Sequence, residues 1–169
     1  SFLVIFFMSS SANAFKLGMA VGGHACCDWM KSQGDVARAI AEKKGWEYLE
    51  LNNEGDSAIS VKNAQIFVQE GVDAVIQFNA QPGSNPAVQQ ILGGAGIPVV
   101  TYDIAEEGMY FVGIDNLGAG IAGGEGLGKL VKEKWNCEPD LVVSAEGAAA
   151  GIVNTWRTGG MRTGLGNIC

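Results

Sequence analysis

Basic runs, histidine and long apolar stretches are what this sequence is short of, and each shortage narrows the function. With 11 basic against 18 acidic side chains and a formal net charge of −7, nothing in it attracts a phosphate backbone or an anionic membrane surface. Neither nucleic acid nor a membrane is an expected partner; a small neutral or cationic ligand suits the charge better. The apolar run Phe2 to Met8 is far below the roughly 20 residues that a membrane-spanning helix needs. His24 is the one histidine. A Ser/His/Asp or Cys/His arrangement would need a nucleophile and an orienting group gathered around it. Cys26 and Cys27 are near it in sequence, but no second ligand pair completes the four positions of a structural zinc site. No metal and no cofactor is implied, and the chain does not read as an enzyme.

Glycine is what the sequence has in excess, at 25 of 169 residues, against an ordinary usage of about 7%. The backbone must therefore turn tightly or pack closely in many places. A 47% hydrophobic content at this length supports a core for roughly one domain, or one and a fraction. Phe2 to Met8 is followed by Ser9-Ser10-Ser11 and Ala12-Asn13-Ala14, the apolar region, polar stretch and A-x-A cleavage pattern of a secretory signal peptide without its basic start. Residues 1–14 are expected to be the remnant of that signal, with the mature protein starting near Phe15. No cysteine follows the cleavage pattern, so a soluble exported protein is expected, not a lipid-anchored one. In an oxidising compartment Cys137 and Cys169 become disulfide candidates. The adjacent Cys26 and Cys27 could join only through a strained vicinal ring, and read as free buried thiols.

From Lys16 on, a strand-turn-helix unit repeats. Lys16 to Val21 reads as a strand, Gly22 to Cys27 as a turn, and Asp28 to Lys44 as a helix with Trp29, Val36 and Ile40 near one face beside Ala37 and Ala41. Trp46 to Leu51 reads as the second strand and Ser57 to Glu70 as the second helix, burying Val61, Ala64 and Val68. Val72 to Phe78 is the third strand; Asn85-Pro86 supplies an N-cap and first-turn proline for a short helix carrying Val88, Ile91 and Leu92. Ile97 to Tyr102 is a continuous apolar run, as strands covered on both faces are, and it delivers Asp103 to the rim where ligands bind in such sheets. Met109 to Ile114 is a fifth strand, followed by a glycine-rich helix from about Leu117 to Trp135. Each interior glycine there costs about 1 kcal/mol relative to alanine, which close backbone packing would offset. Asn136 to Pro139 breaks the chain, Asp140 to Ser144 reads as a new strand, and Ile152 to Gly166 as a helix carrying Trp156 and Arg157. This alternation predicts an α/β fold, a doubly wound parallel sheet with the beginning of a second similar lobe. The expected division is a first lobe over 15–136 and the start of a second over 137–169. Cys137, before a strand, and Cys169, after the following helix, then fall on the edge opposite the helix-entry turns, where they can pair.

The blocks Lys16-Leu17-Gly18-Met19-Ala20-Val21, Gly71-Val72-Asp73-Ala74-Val75-Ile76, Gly96 to Asp103, Phe111-Val112-Gly113-Ile114-Asp115-Asn116 and Arg157-Thr158-Gly159-Gly160-Met161, in that order, resemble the type I periplasmic solute-binding proteins. The nearest likeness is to the ribose-type sugar-binding members that feed ABC transporters. The resemblance implies that Asp103 accepts hydrogen bonds from sugar hydroxyls, that Arg157 binds from the second lobe, and that Trp29 stacks on the sugar. It implies that Asp115 and Asn116 lie at the first crossover, with hinge or cleft contacts, and that Asn79 corresponds loosely to a polar residue after the third strand. His24, in a cleft turn, is a further candidate contact. The sequence departs from the pattern at His24 to Asp28, at Ile104, where ribose-type members often carry arginine, and in length: family members run to about 300 residues as two lobes. The resemblance therefore implies an N-terminal piece of a monomeric, periplasmic protein that takes a sugar or polyol to an ABC transporter permease.

Blander roles compete at each site. Strand-end aspartates ordinarily cap turns, tryptophans at helical spacing are more often core, and an arginine is ordinarily on the surface. Gly118 to Gly123 matches G-x-G-x-x-G, but it lies inside a helix of the fifth unit, not at the first strand-helix junction where a dinucleotide needs it. A sensory binding module for chemotaxis or signalling is the main alternative; a nucleotide-dependent Rossmann-like enzyme fits less well. A sugar-responsive repressor would need an N-terminal helix-turn-helix where this chain has a signal-like segment.

Overall fold

A computed structural model of the chain describes residues 14–23, 28–79, 82–148 and 151–169. The signal-like segment, apart from its last residue, and His24, Cys26 and Cys27 lie outside the described residues. Strand and helix alternate: β1 Lys16–Val21, α1 Asp28–Lys44, β2 Glu47–Asn52, α2 Ser57–Gln69, β3 Ala74–Gln77, α3 Asn85–Gly94 after a 3-10 turn, β4 Val99–Tyr102, β5 Tyr110–Val112, α4 Asn116–Trp135 and α5 Ile152–Ile168. The five strands form one parallel sheet in the order β2-β1-β3-β4-β5. The winding reverses direction beside β1, and at such a switch point the loops leaving the carboxyl ends of neighbouring strands part to leave a crevice. The register aligns those ends, with Ala20 opposite Gln77, Gln77 opposite Thr101 and Tyr102 opposite Val112.

Both faces of the sheet's centre are covered, which is why β1, β3 and β4 read as apolar runs, while all three residues of the edge strand β5 are exposed. Ala20, Val75 and Val99 meet Phe67 of α2 and Val88 and Leu92 of α3 on one face. Met19 and Val21 meet Ala37 of α1 on the other, flanked by Tyr48, Ile76 and Tyr102. The face α1 buries is not the expected one: Met30, Gly34, Ala37 and Ala41 go in, while Val36 and Ile40 are exposed. Small residues let this helix approach until the Tyr48 hydroxyl donates to the Gly34 carbonyl. In α2 likewise, Ser60, Asn63, Ala64 and Phe67 are buried and Val68 is exposed. Asn63 goes in because its amide donates to the Asn52 carbonyl and the Asn53 side chain, satisfying the turn after β2. Asp56 caps α2 by accepting from the Ala58 and Ile59 amides.

Asn85 is not the N-cap of α3. Ser84 holds that position, and Asn85, the first helical residue, accepts from Asn79 through its side chain. The expected strand at Asp140–Ser144 is also absent: the segment is irregular, with Leu141 77% and Val143 80% exposed. A strand exists through its ladder, and no described strand lies beside this one to supply it.

The glycine-rich stretch does form a helix, and close backbone packing compensates it. α4 lies against α5 with main chain touching main chain: a methyl group at Gly124 would fall on the Met161 carbonyl, and one at Gly164 on that of Ile121. In packing, α4 therefore sides with the residues after it. Its carboxyl end, where Asn136 and Cys137 take left-handed backbone, is joined by the Cys137–Cys169 disulfide to the end of α5, with a Cα–Cα distance of 5.4 Å.

Candidate functional site

The chain leaves β4 by a sharp turn at Asp103, which has φ = 61°. This left-handed conformation is uncommon outside glycine, though aspartate tolerates it better than most residues. Two main-chain bonds hold the turn: the Asp103 amide donates to the Val112 carbonyl at 3.2 Å, and the Ile104 amide to the Tyr102 carbonyl at 2.8 Å. The carboxylate meets Arg157, whose Nη2 lies 3.3 Å from Asp103 Oδ1. Arg157 Nε donates to Asn116 Oδ1 at 2.7 Å, and Asn116 Nδ2 donates to the Asp103 carbonyl at 3.4 Å. Three candidate residues from a strand end, the first turn of α4 and the first turns of α5 thus form one closed cluster. Chemically it combines an acceptor-only carboxylate, a fixed fork of guanidinium donors and an amide that can do both.

The remaining candidates sit elsewhere. Asp115 is the N-cap of α4 and accepts from the Gly118 amide at 2.9 Å, while also lining the cavity beside Asp103. Asn79 is buried, donating to Ser84 and Asn85, and lies outside the cluster. Trp29, 45% exposed, stands edge-on to Phe78 with ring centroids 5.6 Å apart and tilted against Tyr102 at 6.1 Å. Below it, Met30, Phe78, Ile104 and Val153 form a buried apolar cluster. Ile104 therefore does floor packing where an arginine was expected from the resemblance. Gly120, inside the G-x-G-x-x-G match, packs against the Arg157 backbone, which a side chain at that position would strike.

Two polar groups near the cluster had no sequence signal. The Tyr102 hydroxyl is buried without a hydrogen-bond partner among the described residues, and burial, then the charge of Asp103, raises its pKa above the usual phenol value. Glu106, buried on the loop after Asp103, accepts from the Gln77 amide at 3.0 and 3.2 Å; burial raises its pKa to about 7, while the Gln77 hydrogen bond opposes the rise. No run or spacing marks a lone buried carboxyl among the acidic residues of a loop. A cavity of about 360 Å³ is lined by Asp103 together with Phe111, Ile114, Leu117 and Trp156 and with Asp115 and Asn116. Trp156 could have been suspected from standing next to Arg157.

The polar cluster thus joins the carboxyl end of β4 in a five-stranded parallel sheet to the pair of helices that follows. The chain belongs to the periplasmic binding protein family: residues 25–167 match the family's periplasmic binding protein domain. Among solved structures it is similar to an ABC transporter solute binding protein from Mycobacterium smegmatis with bound glycerol, at 24% identity and TM-score 0.79 over 90% of this chain and 52% of that one. A galactofuranose binding protein is similar at 25% identity and TM-score 0.78, over 91% and 52%. A solute binding protein from Bacillus halodurans with bound myo-inositol is similar at 18% identity and TM-score 0.79, over 95% and 55%. The chain thus spans about half the length of the structures it matches. No curated protein matches its sequence.

Proposed function

We propose that this chain is part of an exported, periplasmic solute-binding protein that captures a small polyhydroxylated ligand, a sugar or polyol, and presents it to an ABC transporter permease. The observation that carries the reading is the Asp103–Arg157–Asn116 cluster, which joins the rim of the sheet to the helices that follow. Hydroxyl groups both donate and accept, and this cluster offers the complementary groups within one hydrogen-bonded set. Asp103 and Arg157 would take the ligand from opposite sides, with Trp29, Asp115 and Asn116 at the border of the cleft. Because α4 packs on α5, we draw the boundary between lobes just before Asn116 instead of after Asn136. Family membership supports binding, and a monomer working by hinge closure, over catalysis. Calorimetric titration of the full-length protein against glycerol, D-allose, myo-inositol and related sugars tests this. Saturable binding that D103N and R157Q each weaken at least tenfold is the expected result, and heat changes at the level of buffer dilution across the whole series would refute it.

A further inference from the structure

Among the described residues, the surroundings of Asp103 combine a packed apolar cluster and a cavity. Toward Trp29 the floor is filled, since Val153 of α5 seats against Met30, Phe78 and Ile104 and all four are buried. Asp103 and Arg157 are in direct contact with each other. The cavity that Asp103 does line opens toward β5 and the first turns of α4 and α5, and its walls are largely apolar: Phe111, Ile114, Leu117 and Trp156. The Phe111 ring folds over Gly113, where any side chain would collide with it. Trp156 is 41% exposed and directly precedes Arg157, so the residue that meets Asp103 and the indole are set by the same helical turn. The result is an aromatic surface with a carboxylate and a carboxamide at its edge. Small-molecule sites of this composition take ligands that have one apolar face and a polar rim.

Resting on the function proposed above, we infer that Trp156 is the aromatic platform of the site and selects cyclic polyols over open-chain ones. A sugar or inositol ring can lay the C–H bonds of one face on the indole while its hydroxyl rim reaches Asp103 and Asn116. Glycerol has the hydroxyls and no such face. Trp156 therefore contributes to ring binding and little to binding of an open-chain polyol.

The test is calorimetry of the full-length protein with myo-inositol, D-allose and glycerol, on wild type, W156A, W156F and a distant control, W135A. W156A should lose at least tenfold in affinity for any ring that wild type binds and less than threefold for glycerol. W156F should stay within threefold of wild type for the rings and, in a W29F background that silences the other tryptophan at the cleft, should lose the change in tryptophan emission that they cause. W135A should keep both. Circular dichroism of each variant separates a lost platform from a lost fold, and W156F decides the matter if W156A does not fold. Ring affinity unchanged in W156A, equal losses for rings and glycerol, or an emission change that survives in the W29F/W156F double variant would overturn the inference alone. A wild-type protein that binds none of the three compounds would overturn the proposed function and this inference with it.

Discussion

Replacing Glu106 by glutamine should flatten a pH dependence that the wild-type chain carries from about pH 4.5 to 7. The carboxyl is 7% exposed and accepts from the neutral Gln77 amide, so its ionised form is poorly solvated. Burial moves its pKa from 4.5 to about 7 despite that hydrogen bond. In the unfolded chain the proton leaves near the lower value; in the folded chain it stays until the higher one. Between them the unfolded state has lost the proton that the folded state still holds, so stability falls as pH rises, and the fall is complete above about pH 7. At roughly 1.4 kcal/mol per pH unit, the interval between 4.5 and about 7 corresponds to about 3 kcal/mol. Urea midpoints measured at intervals from about pH 4 to 8, for wild type and E106Q, give the comparison. Both belong in an H24N background, because His24 is the one histidine and ordinarily titrates near 6.5. The expected outcome is a falling profile for wild type, a flatter one for E106Q, and a variant more stable than wild type at pH 8. Parallel profiles, or a wild type that gains stability as pH rises through this window, would show that Glu106 is solvated or paired in the folded chain and would refute the reasoning.

Other substitutions read the packing. Gly164→Ala should cost about 1–3 kcal/mol by driving a methyl group into the Ile121 carbonyl. Gly166→Ala, two positions on in the same helix with open space around it, should stabilise by up to about 1 kcal/mol; urea midpoints of the two give opposite signs. Phe67→Ala, at the centre of the α2 face, should lose about 3–5 kcal/mol in the same assay. Replacing Cys137 and Cys169 by serine should lower stability by about 3–4 kcal/mol, the loop-closure figure for their separation of 32 residues. Adding reductant to wild type should reproduce that loss in a thermal melt.

The order of strands and helices was legible because both-face burial makes continuous apolar strands and polar turns separate them. The glycines of α4 were legible as close packing because nothing else offsets their cost in a helix. The buried face of α1 was not, since large apolar residues are conspicuous while a helix meets a sheet most closely through small ones; Gly34 and Ala41 carry the contact, and Val36 and Ile40 are left outside. Leu141 to Val143 shows the same limit for strands: β-branched composition records a propensity, and the ladder depends on a neighbour. At the site, strand position marked Asp103, but its meeting with Arg157, which is 54 residues away, came from the family likeness and not from any local pattern.

The contact between α4 and α5 determines what can move. Where carbonyl and amide groups touch directly, there are no side-chain rotamers to rearrange, so the two helices cannot slide past one another by small repacking steps and must travel as a single beam. Asn116 and Arg157, both near one end of that beam, keep their mutual hydrogen bond during any such movement, while both bonds to Asp103 cross the gap between beam and sheet. Opening therefore separates an intact donor pair from the one residue that accepts from both, and among the described residues the flexing falls to the short connection at residues 113–115, which joins the sheet to the beam.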